Sequence, residues 1–159
     1  MRNPLLVGFL LTVAPGVARS QGPIGPADLL VAGVGYGRDS NHVRKVLGRP
    51  DSISAEPDVI EQDSKNVVWH YSALVVIYYS DGVAGAVTLI SPARATRRGL
   101  RVGDPAAKIR SLYGPPQENE RSGDSEEWEY SLPDHPRLLI SILCRKGRVV
   151  EIFMGLVRD

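Results

Sequence analysis

One stretch constrains this chain more than any other. Gly37-Arg38-Asp39-Ser40-Asn41-His42-Val43-Arg44-Lys45-Val46-Leu47-Gly48-Arg49-Pro50 returns, at a constant shift, as Gly103-Asp104-Pro105-Ala106-Ala107-Lys108-Ile109-Arg110-Ser111-Leu112-Tyr113-Gly114-Pro115-Pro116. Val43 lands on Ile109, Arg44 on Arg110 and Val46 on Leu112, and an aromatic doublet follows each copy: Trp69-His70-Tyr71, then Trp128-Glu129-Tyr130. A chain that repeats itself is read as a tandem duplication before anything else is read from it.

Each copy carries the start, stripe and stop of a short helix. Asp39 can accept a hydrogen bond from a free first-turn N–H. Val43, Val46 and Leu47 fall at helical spacing. Gly48 ends the run and Pro50 prevents its resumption. In the second copy Asp104 is the expected cap, with Pro105 at the first helical position, where proline is tolerated. Ile109, Leu112 and Tyr113 give the stripe, and Gly114-Pro115-Pro116 gives the stop.

Residues 52–66 and 119–125 are polar and read as exposed loops. Strands are expected at 67–71, 74–79 and 83–90, with a hairpin at Asp81-Gly82. The second set is 127–131, 137–144 and 148–154, with a turn at Lys146-Gly147. The fold class predicted is α+β: two tandem repeats, each a short helix or helix pair packed on a three-stranded antiparallel sheet. The expected division is a signal peptide at 1–20, a mature N-terminal segment at 21–34, repeat 1 at 35–91, a linker at 92–99 and repeat 2 at 100–159.

A short basic start at Arg2, an apolar run over residues 5–14 and small residues at Ala18 and Ser20 have the form of a secretory signal peptide. The run is too short to span a bilayer comfortably, so no integral membrane segment is expected in the mature chain. The expected localisation is exported, periplasmic or secreted. A hydrophobic share of 43% and a charged share of 23% are those of a folded chain. The formal net charge of +1 argues against a nucleic-acid partner. Cys144 is the single cysteine, so no intrachain disulfide can form, and its place in the alternating run Leu138, Ile140, Ile142, Cys144 predicts a buried thiol.

The combination of Gly, Asp cap, short helix closing on Leu-Gly-x-Pro, Trp-x-Tyr and antiparallel hairpin resembles the BamE/SmpA/OmlA family and the related β-lactamase-inhibitory-protein fold. The resemblance covers roughly residues 35–90 and 100–154 and implies helices on one face of an antiparallel sheet. The assembly-factor lipoproteins carry one such unit and a lipidated cysteine, and the inhibitory proteins carry disulfides. This chain has a counterpart to neither.

Catalytic, metal and cofactor chemistry find no pattern here, so the chain is not expected to be an enzyme and no cofactor is expected. His42, His70 and His135 lack ligand spacing. No Gly-x-Ser-x-Gly elbow occurs. Gly33-Val34-Gly35-Tyr36-Gly37 lacks the lysine of a phosphate loop and reads as a turn. The acidic run Glu118, Glu120, Asp124, Glu126, Glu127 and Glu129 reads as a solvated loop, and Arg94, Arg97, Arg98 and Arg101 read as a solubilising connector.

If Trp69 and Tyr71 face the helices, alternation along each strand divides the remainder. Aligning the two hairpins by their turns puts Val75, Ile77, Val87, Ile140, Ile142, Cys144, Val150 and Ile152 in the core. The opposite face then takes Leu74, Val76, Tyr78, Leu139, Leu143 and Phe153. A contiguous apolar face on a soluble chain marks an interaction surface. The function expected is therefore an exported, non-enzymatic protein-binding module with these six residues as the protein-binding set, pairing with a second copy being one form of it. The alternative is a structural or assembly factor of the bacterial cell envelope.

Overall fold

The computed structural model describes residues 22–58, 64–79 and 82–158. The signal-peptide reading lies outside them, as does the Asp81 half of the hairpin signal. In chain order the elements are a 3-10 turn Pro26–Leu29, β1 Leu30–Val31, β2 Val34–Gly35, α1 Ser40–Leu47, β3 Ser52–Pro57, β4 Lys65–His70, β5 Leu74–Tyr78 and β6 Ala84–Leu89. They continue with α2 Ala106–Tyr113, β7 Glu118–Ser122, β8 Ser125–Leu132, β9 His135–Arg145 and β10 Arg148–Leu156.

Two units with three strands each are not what the chain builds. Strands β3 to β10 form one antiparallel sheet of eight, in the order β3-β4-β5-β6-β10-β9-β8-β7. The two segments read as polar loops supply its outermost strands, β3 and β7. The reason they were invisible is physical. An edge strand here has solvent on most sides, so its residues are exposed almost throughout and show no apolar alternation. The N-terminal segment ahead of α1 supplies the 3-10 turn and the small β1–β2 hairpin.

Both helices lie on one face. Asp39 accepts from the His42 backbone N–H at 2.9 Å, as a cap should. Asp104 does not cap α2. It accepts instead from the Arg101 N–H at 2.7 Å and from Lys108 at 2.8 Å, and the cap position belongs to Pro105, with no side-chain bond. Each helix ends on a glycine with positive φ, 83° at Gly48 and 79° at Gly114, a conformation only glycine adopts cheaply.

The core fills the space between helices and sheet. Val43 and Ile109 are fully buried against Trp69, Leu74, Val76, Val87, Trp128, Ile140, Ile142 and Ile152. Val46, expected on the stripe, is 41% exposed. The N-terminal segment closes this layer with Ile24, Leu29, Val31 and Val34. It is held by Arg98, which pairs with Asp28 at 2.9 Å with both side chains over nine-tenths buried. The same guanidinium donates to the carbonyls of Gly22, Pro23 and Leu112 and lies over the Tyr113 ring. Arg98 is thus a buried clasp rather than a solubilising connector residue.

Candidate functional site

The register of the sheet decides which side chains share its open face. Trp69 stands opposite Val76, and Val76 opposite Val87, so all three face the helices. Leu74, Val76 and Tyr78 are 1%, 0% and 4% exposed, so half of the expected protein-binding set is core. Val75 and Ile77, expected inside, take the open face. The alignment by turns caused the exchange. Trp69 faces Val76 as Trp128 faces Ile142, so the shift between the copies stays constant through β5 and β9. The second copy is one residue shorter only in the turn: Tyr78 faces Ala84 across five residues, and Cys144 faces Val149 across four. Val150, also expected in the core, is the extra residue of a bulge between Val149 and Glu151, and Val149 is the one buried.

Leu143 and Phe153 lie half-buried on the open face, as expected; Leu139 shares that face by register but is only 7% exposed, so it too is buried. Phe153 stands between Thr88 on β6 and Ser141 on β9, and Ser141 stands opposite Glu129 on β8. One strand-step along, Glu151 faces Leu143 and Leu143 faces Glu127. His70 and Glu129 point away from the helices, as alternation requires. The acidic stretch is therefore no loop but the β7–β8 hairpin. Glu118 opposes Glu129 and Glu120 opposes Glu127 directly across it.

Of these side chains, Glu127, Glu129, Ser141, Glu151 and Phe153 line a trough of about 460 Å³ on the open face. Its floor includes Ile77 and Phe153. Glu56, Glu127, Glu129 and Glu151 surround it. Tyr79 and residues 156–158 form one wall: the Tyr79 hydroxyl donates to the Leu156 carbonyl at 2.7 Å, and Arg158 lies over its ring. Tyr79 rests on Gly85, where any side chain would collide with the ring. Arg158 is itself paired with Asp58 at 2.6 Å. Glu127 accepts from the Ser141 hydroxyl. Burial pushes the Glu129 carboxyl above its usual range, and the charges of Glu118, Glu127 and Glu120 push it further.

The reactive groups stand apart from this trough's acids. Ser54 Oγ and His70 Nε2 meet at 2.8 Å between β3 and β4. A nucleophile–base pair needs a third group to orient the ring, and no such bond to His70 occurs among the described residues. The Cys144 thiol is buried, and burial first, then Glu126, pushes it up to about 11, so no thiolate is available at neutral pH. No group of three or more His, Cys, Asp or Glu side chains is placed to hold a metal ion among the described residues. His42 reaches the Gly33 carbonyl and His135 opens β9.

One pairing escaped the sequence. Arg44 lies over the Trp69 ring at 5.1 Å and Arg110 over Trp128 at 5.6 Å. The recurrence of both arginines at one repeat position was the available signal. Tyr71 and Tyr130 likewise donate to the carbonyls of Gly48 and Gly114, tying each helix stop to the sheet.

No protein-family model matches this chain, and no curated protein matches it. Among solved structures it is similar to an extracellular protein containing an SCP domain from Bacillus anthracis, with a TM-score of 0.51, 8% identity, 94% of this chain covered and 50% of that one. A DUF4309 family protein, YjgB, from Bacillus subtilis gives 0.48 at 12% identity over 75% of this chain and 78% of that one. A cysteine-rich secretory protein from Staphylococcus aureus gives 0.41 at 13% identity over 87% and 48%. The chain thus spans about half the length of the two secretory-type proteins it resembles. The resemblance to BamE/SmpA/OmlA proteins is overturned: no protein-family model matches, and the structural similarity that reaches a TM-score of 0.51 runs to an extracellular protein containing an SCP domain. What the first of these similarities carries is a shared fold.

Proposed function

We propose that this chain is an exported, non-enzymatic protein-binding module whose partner docks on the open face of the eight-stranded sheet. One observation carries the reading. The helices and the N-terminal segment all pack on the other face, and the open one holds a 460 Å³ trough with Phe153 and Ile77 on its floor. A partly exposed aromatic at the centre of a concave apolar surface is the usual anchor of a protein interface. Export is supported by the basic start, apolar run and small residues of the first twenty positions. The extracellular SCP-domain protein of similar fold is consistent with it. The envelope-assembly alternative drew on the BamE resemblance and loses its support with it.

The test contrasts two substitutions. Phe153→Ser takes the aromatic anchor off the open face without adding charge, so the variant is expected to fold and to lose association in pull-downs from envelope and culture fractions. Tyr78→Asp places a charge in the core and is expected to abolish folding. Undiminished association of a folded Phe153→Ser variant would overturn the docking face.

A further inference from the structure

The trough is apolar at its floor and acidic around it, and no ion pair among the described residues takes up its glutamates. Glu127 and Glu129 stand on β8 and Glu151 on β10, with Leu143 and Ser141 of β9 between them in register and Phe153 beside Ser141. Glu56 closes the far side. The ion pairs among the described residues are Arg98–Asp28, Lys108–Asp104, Arg121–Glu126 and Arg158–Asp58, and none takes up these four glutamates. Arg158 is the basic residue of the lining and is already paired with Asp58.

This charge is local. The whole chain carries a formal net charge of only +1, so the acidic face is not the by-product of an acidic protein. It is also costly. Like charges directly opposed across strands destabilise a sheet, and Glu118/Glu129 and Glu120/Glu127 are two such pairs in succession. The raised Glu129 carboxyl reports the same crowding. A single metal ion does not relieve it, since no three carboxylates converge on one among the described residues. The acids are spread along the trough, so the counter-charge must be spread as well. The Asn66 side-chain oxygen, on the same lining, is buried with no hydrogen-bond partner among the described residues, an acceptor waiting for a donor.

Resting on the docking face proposed above, we infer that its occupant is a lysine- or arginine-bearing amphipathic segment of a partner protein, whose apolar side chains meet Phe153 and Ile77 while its cations meet Glu56, Glu127, Glu129 and Glu151. Charge complementarity sets the choice: anionic surfaces such as nucleic acid or acidic lipid are repelled by this face.

The experiment uses three synthetic peptides of equal length in which leucine alternates with lysine, serine or glutamate. Binding to the mature protein is followed by calorimetry and by amide chemical shifts, at low and high salt. The lysine peptide is expected to bind, to shift resonances of β8, β9 and β10 on the open face, and to weaken with salt. In the variant Glu127→Gln/Glu129→Gln/Glu151→Gln its affinity should fall roughly tenfold, the sum of three exposed ion pairs. The same variant should melt at or above the parent's temperature, because like-charge repulsion has been removed, and this rules out misfolding as the cause. Equal binding of the serine peptide, or undiminished lysine-peptide binding by the triple variant, would overturn the cationic occupant and leave the docking face standing. If no peptide perturbs the open face of the folded protein, the docking face falls too.

Discussion

Arg98 answers one carboxylate and three carbonyls with a single planar guanidinium, and its pair with Asp28 is over nine-tenths buried on both sides. Removing one member of a buried ion pair leaves the other charge uncompensated, at a cost of about 3–5 kcal/mol. Arg98→Ala is therefore expected to lose about that much stability in urea unfolding at neutral pH. Arg98→Lys should recover little of it, because a point charge cannot serve four acceptors fixed in a fork. The Asp28 carboxyl gives this a pH signature. Burial alone would raise it, but the bonds from Arg98 and the Gly25 N–H outweigh burial and hold it below the usual range. A depressed acid stabilises the fold fully above its unfolded value, near 4, and the contribution is lost as pH falls through the folded value. The parent's excess over Arg98→Ala should accordingly shrink below about pH 4.

At the scale of the element, the helices and the interior strands were legible and the edges were not. Asp39, Val43 and Gly48 specify α1 by local chemistry alone, and the cap bond is in place. Asp39→Ala should lower Tm by about 2–4 °C, measured by thermal melt. Asp104→Ala should cost less, since its bonds close a turn at Arg101 rather than cap α2. The pattern Asp-Pro looked like cap and first turn, but Pro105 is extended and the helix begins one residue later. The binding face was half legible for a related reason. Alternation assigns residues to two faces correctly only while the register is known, and a one-residue slip exchanges the faces. Leu143 and Phe153 lie where the unbroken register put them. Leu74, Val76 and Tyr78 were exchanged with Val75 and Ile77 because the one-residue difference between the copies falls in the turn beyond Tyr78, and nothing in the sequence marks on which side of a strand a deletion falls. Strands β3 and β7 escaped detection altogether, since exposure leaves no apolar trace to read. Ile53 on β3 is 55% exposed, so even its apolar residue faces solvent.

For the whole molecule, the decisive pairing is β6 with β10, which joins two four-stranded halves into one sheet. There Gly155 lies so close to β6 that a side chain would meet the Ala86 Cα at 2.6 Å. Strand β10 also supplies Val149, Ile152 and Met154 to the core. A chain ending at Lys146 is expected to lose cooperative unfolding and to aggregate, by circular dichroism and size-exclusion chromatography, because β6 and β9 would each present a bare edge. The place of β10 has a consequence in time as well as in space. It follows every other described strand in the order of synthesis, yet it sits between two of them. From the moment Leu89 leaves the ribosome until Leu156 does, β6 keeps its inner edge unpaired, and β9 adds a second once Arg145 has followed. Such edges are templates for wrong partners while they last. The long wait for its central strand makes this a chain whose folding yield should depend on what shields it during translation.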